Sequence, residues 1–402
     1  MTYEVLRKQI DEDLPWLKAR SAEIDRMGRL PNDVVAWLIN HGLFKLFIPK
    51  TLGGHALTLE EALALVMLIA QGDGSVAWQV QIGSGGNYFL PSFSPAVAEM
   101  IFSPPAAVIA GSGYVGGYAY PEAGGYRVSG YWRYASGAQY ATTFTANALV
   151  LEARAESEAY LAKLREAFSN IRRDASGQRR DEDSDVDHAV HSAHFMPFHS
   201  LLGVLQDEKL LPVAIRAFAF TREEVETFSD WQGIGMRGTS SEAMMVREVF
   251  VPEERTFVVG DTANSLYRVS LQDIPFVSFA EASIGAVVVG LAQALAEEMT
   301  RLLSEKVFPA QRTPVVAVLQ EAIDTFRYMK NLYEQAVRQL CLKDQDHMVQ
   351  MFSWTVRHAV RTIRMKAWEV FPYLGMQVLD ERSRLNRIMR DMETAAHHVM
   401  LL

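Results

Sequence analysis

The chain has 402 residues, 49% apolar and 22% charged, with a formal net charge of −9 at pH 7. That length exceeds the roughly 250–300 residues at which one hydrophobic core stops growing, so two or three packed domains are expected. The acidic balance excludes nucleic acid as the main partner, because phosphate contacts need a basic surface. The single cysteine, Cys341, excludes an intrachain disulfide and fits a reducing, cytoplasmic location.

The N-terminal stretch is charged and amphipathic and lacks the apolar core of a signal peptide. Further on, Leu30-Pro31-Asn32-Asp33 is a helix start, with Val34, Val35, Leu38 and Ile39 at helical spacing and His41-Gly42 as the stop. Leu57–Gln71 reads as a buried helix begun by Thr58. Asp73-Gly74-Ser75 breaks it, and an apolar segment with Trp78 follows.

The texture changes near Pro104-Pro105. Tyr126–Tyr134, Thr142–Leu151, Val213–Phe220 and Met244–Val251 are rich in β-branched and aromatic residues and read as strands. Spaced strands with Gly-rich turns predict an antiparallel barrel or sandwich. Between two of them, 154–170 reads as a helix and 171–187 as a charged low-complexity run, together an insertion at about 154–210. From about Val277 the chain is helical again: Phe279–Leu303, Val315–Leu342, His347–Val370 and Ser383–Leu402. The longest apolar run, near Ala286–Ala296, is too short to cross a bilayer, so no membrane is expected. The expected fold class is α+β. A helical domain spans 1–105, a β-domain with the insertion spans 106–260, and a four-helix bundle spans 261–402.

No dinucleotide or P-loop signature is present. Residues 111–117 (GSGYVGG) match neither spacing. The most informative block is Gly124–Ala141. Its glycines permit tight turns and close approach of a flat group. Trp132 and Tyr134 alternate with Arg133 on a strand and are expected on one face. Ser136-Gly137 ends the strand with exposed backbone N–H groups. The block could wall a flavin ring, or its aromatics could simply fill a core.

His188, His191, His194 and His199, beside Asp185 and Asp187, are candidate metal ligands. On a helix the first three spread over about 120°, a poor face for one ion, so a solvated insertion and no metal are expected. Met236, Met244 and Met245 read as packing elements. Cys341 reads as a small buried apolar group.

Four stretches, in order, resemble the acyl-CoA dehydrogenase superfamily, and most of all its flavin-dependent monooxygenase branch, the oxygenase components of two-component aromatic hydroxylases. They are Gly42-Leu43-Phe44 through Gly53-Gly54; Asp73-Gly74-Ser75-Val76-Ala77-Trp78; GGYRVSGYWRYASG with Trp231–Ser241 and Phe250-Val251-Pro252; and Leu385–Asp391 with His398 seven residues after the Asp. The resemblance implies a flavin, FAD or FMN, bound in its reduced form, lying between the β-domain and the bundle. It implies a homotetramer, a separate flavin reductase, and a small organic substrate, aromatic compounds included. Carried over by position, Trp132, Tyr134, Ala135 and Ser136 border the ring. Arg237, Gly238, Thr239 and Ser240 lie near the flavin or substrate edge. His398 is the active-site histidine, with Ser136 beside it in the chemistry, and the alternative is a surface histidine on the last helix. On that helix His397 is expected to point about 100° away. Trp78 and Asn87 are the expected substrate contacts.

Two departures qualify the match. Where such monooxygenases carry a histidine about eight residues after the Trp, this chain has Gly83–Asn87, and Asn87 cannot titrate. The insertion is also outside the common pattern. An FAD-dependent acyl-CoA dehydrogenase is the rival enzyme, but its Glu-Gly-Thr near the C-terminus is absent, which leaves Glu281 as a fallback base. The rival of another class is a non-catalytic member that only binds flavin or another ligand.

Overall fold

A computed structural model describes residues 2–151, 212–261, 265–305, 313–342 and 346–402. The insertion helix, the charged run and the His188/His191/His194/His199 cluster fall outside them. In chain order the described helices are α1 (Tyr3–Met27), α2 (Asn32–Asn40), α3 (Leu59–Ala70), α4 (Gly74–Gly85), α5 (Pro95–Phe102), α6 (Phe276–Glu305), α7 (Thr313–Leu340), α8 (Asp346–Val370) and α9 (Arg384–Ala396). The strands are β1 (Ile109–Glu122), β2 (Gly125–Ala135), β3 (Thr143–Leu151), β4 (Pro212–Thr221), β5 (Glu226–Phe228), β6 (Glu242–Pro252) and β7 (Thr256–Phe257).

The two helical ends, read from sequence as separate domains, form one compact unit: residues 1–88, 232–239 and 268–402. Its centre is α6, which packs on α3, α4, α7, α8 and α9. Helix α6 is long and apolar enough to cross a membrane by composition. However, 83% of its most apolar window is buried in this unit, as in the core helix of a globular protein. The local starts are those the sequence encodes. Thr58 forms a capping box with Glu61 at the head of α3. The Asp73 carboxylate accepts the Val76 N–H at 2.9 Å and caps α4. Helix α9 ends at Ala396, earlier than expected, and a short 3-10 turn spans Val399–Leu401. Cys341, expected to be buried, is exposed, because it falls just past the last residue of α7.

The second unit comprises residues 89–231 and 240–267. Its sheet has seven strands in the order β5-β6-β2-β1-β3-β4-β7. It is not a closed barrel. All pairs are antiparallel except β1 with β3. The sheet curls so that non-neighbouring strands face each other, as in a sandwich. Trp132 of β2 lies 6.1 Å from Phe220 of β4 between ring centroids, and Tyr126 lies 5.6 Å from Phe218. The methionines behave as expected: Met244 and Met245 are buried here, and Met236 is buried in the helical unit.

Three strands were not foreseen from sequence, the short β5 and β7 and the long β1, which contains the GSGYVGG stretch. Its glycines are there for packing. A Cβ on Gly116 or Gly117 would come within 2.6 Å of the Trp132 indole, and one on Gly130 within 2.2 Å. Three glycines thus form a bed for a flat group, and that group is the chain's own tryptophan.

Candidate active site

In the helical unit, one turn of α9 grips the segment that leads to Thr239. Arg390 Nη1 donates to the Ile234 carbonyl at 2.6 Å, Thr394 Oγ1 accepts the Gly235 N–H at 3.1 Å, and Asp391 Oδ1 accepts the Met236 N–H at 2.5 Å. The close approach requires Gly235, since a Cβ there would sit 2.1 Å from the Arg390 carbonyl oxygen. Met236 is held at φ 52°, a left-handed conformation that costs a non-glycine residue on the order of 1–3 kcal/mol. Helix α4 holds the other end: the Gln79 amide donates to the Thr239 carbonyl, and Gly238 lies against Ser75. Arg237 projects from this turn half-buried, with no ion pair among the described residues.

Behind the turn lies a buried charge cluster. The Asp391 carboxyl faces Asp73 on α4, Arg387 and Arg390 on its own helix, and Asp25 on α1. Arg390 is paired with Asp25 at 2.8 Å. Burial, then the neighbouring Asp73 charge, pushes the Asp391 carboxyl up to about 8, and burial raises Asp73 as well. The two carboxyls titrate together and not independently. A cavity of about 10 Å³ is lined by Ser21, Asp73, Arg384, Arg387 and Asp391, room for a single water.

His398 does not lie on the helix. It follows the end of α9 and caps the last 3-10 turn, where its Nδ1 accepts the Met400 N–H at 3.3 Å. That bond places the ring proton on Nε2, an assignment made from the network. The imidazole packs on Trp78, with ring centroids 5.8 Å apart. Desolvation lowers its pKa to about 4, so the ring is neutral at neutral pH. Nε2–H has no protein acceptor among the described residues. The two histidines are separated by the helix end rather than by helical angle. His397 is exposed, with Nδ1 on the Glu393 carbonyl and Nε2 beside Arg364.

Trp78 therefore stands beside His398, but Asn87 has another task. Its Oδ1 accepts the Phe47 N–H and its amide donates to the Phe44 carbonyl, so both ends tie down the 44–47 backbone instead of reaching for a substrate. Glu281, the fallback base, is fully buried and committed. Its Oε1 accepts from Ser353 at 2.5 Å and from Arg357 at 2.8 Å.

In the sheet unit the expected aromatic wall is split. Trp132 is 1% exposed and donates from its indole N–H to the Asn147 carbonyl at 2.9 Å. Tyr134 is 40% exposed, at φ 65°. A bulge between Trp132 and Ala135 breaks the alternation, so the two rings do not share a face. Tyr134 instead meets Trp231 edge-on, with the Arg133 guanidinium 4.9 Å from its ring. Ala135 is buried in the core cluster. Ser136 is buried, its hydroxyl 2.6 Å from that of Ser241, and its backbone N–H turns back to the Tyr134 carbonyl. Ser240 is also buried and left-handed, at φ 42°.

Left-handed non-glycine residues thus flank the Arg237-Gly238-Thr239 turn on both sides, at Met236 and Ser240. Such strain clusters at functional sites. The structure brings Arg237–Thr239 together with Gln79, Asp73 and Asp391, which sequence reasoning did not single out as site residues. Asp73 and Asp391 lie in the DGS and RD segments, whereas Gln79 carried no local signal.

Residues 3–93 match the family model for the N-terminal domain of acyl-CoA dehydrogenases. The chain is 22% identical over 293 residues to indole-3-acetate monooxygenase of Pseudomonas putida, covering 72% of this chain and 60% of that protein. It is 25% identical over 292 residues to the flavin-dependent monooxygenase oxygenase subunit HsaA of Rhodococcus jostii, covering 71% and 62%. The matched stretch thus spans about three-fifths of these relatives' lengths. Among solved structures, the HsaA monooxygenase of M. tuberculosis superposes with a TM-score of 0.81 at 19% identity, covering 100% of this chain and 94% of that one. XiaF from Streptomyces sp., in complex with FADH2 and glycerol, gives 0.79 at 19%, covering 99% and 92%. The chain is thus similar over residues 3–93 to the N-terminal domain of acyl-CoA dehydrogenases, over about 290 residues to flavin-dependent monooxygenases, and in overall fold to solved structures of such monooxygenases.

Proposed function

We propose that the protein is the oxygenase component of a two-component flavin monooxygenase, using reduced FAD or FMN delivered by a separate reductase to hydroxylate a small aromatic substrate. The observation that carries the reading is His398: a neutral imidazole against Trp78, with its Nε2–H directed at no protein acceptor among the described residues. The names of the relatives support the substrate class, since indole-3-acetate is an aromatic acid.

The residues suit a flavin. Within the sheet unit, the exposed Tyr134, edge-on to the half-buried Trp231, by itself offers aromatic surface. The strained Arg237-Gly238-Thr239 turn offers backbone groups and a cation without an ion-pair partner among the described residues, suited to an anionic reduced ring or a phosphate. Reduced flavin, when bound, supplies the two electrons that activate dioxygen. His398 supplies a hydrogen-bond donor to a ligand oxygen. Since Met400 N–H occupies Nδ1, this ring donates from Nε2 without changing charge. Trp78 fixes the plane of the ring and shields it from water. Preferential binding of the reduced over the oxidised flavin, measured without oxygen, tests this assignment.

We also propose a homotetramer as the working form. The bundle exposes Tyr328, Met351, Trp354, Met365, Trp368, and Met376 to between 47% and 78%. Large apolar side chains of this number, on α7, α8 and the turn after them, are suited to burial against other copies of the chain. Sedimentation equilibrium is expected to give about four times the 45.0 kDa chain mass. A monomer at micromolar concentration would refute the tetramer.

A further inference from the structure

We propose that Asp391 is a positioning residue for the reaction at His398, holding the strained Met236–Thr239 turn in its working shape through the Met236 N–H. The inference rests on the proposed flavin function and adds to it a role for the buried carboxyl pair. Asp391, Arg390 and Thr394 hold three successive backbone positions, 234 to 236, from a single helix. The chain leaves this helix at Ala396 and reaches His398 two residues later. The helix therefore fixes the turn that presents Arg237 and Thr239, and its immediate C-terminal extension carries the donor histidine. A shift of either relative to the other would cost catalysis more than it costs folding.

The surroundings of Asp391 are built to keep its carboxyl in place. Gly74 gives it room, since a Cβ there would lie 3.0 Å from Asp391 Oδ2. Asp73, anchored as the α4 cap, faces it across that gap. Asp391 Oδ1 accepts from Met236, while Oδ2 lies on the Gly74 side. Asparagine keeps the essential acceptor, because its carbonyl oxygen can take the Met236 N–H. Alanine provides no acceptor. Met236→Gly tests the turn from the other side, because glycine keeps the N–H but removes the restriction on a left-handed backbone.

The experiment compares four full-length proteins, wild type, Asp391→Asn, Asp391→Ala and Met236→Gly, by anaerobic titration with reduced FMN and reduced FAD, alongside thermal melting. Asp391→Asn is expected to bind reduced flavin like wild type. Asp391→Ala is expected to lose about tenfold in affinity, the worth of one buried hydrogen bond to a charged or polar acceptor. Met236→Gly is expected to lose about two- to fivefold in affinity while melting at or above the wild-type temperature, an outcome a purely structural contact would not give. If Asp391→Ala does not fold, Met236→Gly and Asp391→Asn decide the question. Wild-type affinity in Met236→Gly, or in a folded Asp391→Ala, overturns the positioning role alone. Failure of the wild type to bind either reduced flavin overturns the proposed function and this role with it.

Discussion

Replacing His398 with alanine is expected to lower the turnover number of hydroxylation by about 100- to 1000-fold, the usual cost of deleting one donor aimed at developing charge. Reduced-flavin affinity and the melting temperature should change little, because among the described residues the histidine side chain makes one hydrogen bond, to the Met400 N–H of the last short turn. Reduced flavin would still be consumed, and its electrons would appear as hydrogen peroxide in place of product. The measurement is product and peroxide yield per flavin oxidised. The pH profile provides a second check. Desolvation holds the His398 pKa at about 4, below the ordinary value of 6.5. The folded chain therefore binds fewer protons than the unfolded chain between those values. The stability this ring contributes is fully present above pH 6.5 and is lost as pH falls toward 4. The rate profile should show no inflection near 6.5 from this ring. An inflection there that disappears in His398→Gln would contradict the neutral-donor role.

Trp132→Ala is expected to destabilise the sheet unit by about 3–5 kcal/mol, the usual loss for a fully buried large aromatic. The indole is sealed on one side by Gly116, Gly117 and Gly130 and meets Phe220 on another. Its N–H would also leave the Asn147 carbonyl without that donor. Denaturant unfolding measures the effect. A variant that keeps wild-type stability but binds flavin weakly would instead mean that Trp132 forms part of the flavin wall.

These two residues mark where the sequence could be read and where it could not. Apolar periodicity made α3, α6, α7 and α8 visible, and Thr58, read as the start of α3, is its N-cap. The glycines at 111–117 hid β1, because glycine lowers strand propensity. Their purpose lies in the tertiary packing of Trp132, on the neighbouring strand, which no local pattern records. The same limit applied at Tyr134, where strict alternation predicted a shared face and a bulge with a left-handed residue turned the ring outward. The last helix shows a milder form: its pattern runs on toward Leu402, yet it stops at Ala396, and that stop brings His398 to Trp78.

The clasp on the Arg237 turn is the clearest case of information that is present in the sequence but not legible there. Met236 and Asp391 are 155 residues apart. Both fall in segments that marked the family, yet only the folded chain shows that one segment's carboxyl holds the other's backbone. Asp73 and Ser75 in a third segment, with Gln79 one residue past it, complete the same arrangement. Three of the four motifs that carried the resemblance thus converge on one structure in the helical unit.

The central claim, use of reduced flavin, is tested most directly by equilibrium titration of the full-length protein with FADH2 and FMNH2 under strict anaerobiosis, set against the oxidised forms. The account predicts saturable binding of at least one reduced flavin, with the oxidised form held at least about tenfold more weakly, a difference of about 1.4 kcal/mol. A protein that carries tightly bound oxidised FAD and bleaches on addition of an acyl-CoA, or one that binds neither redox form, would contradict it.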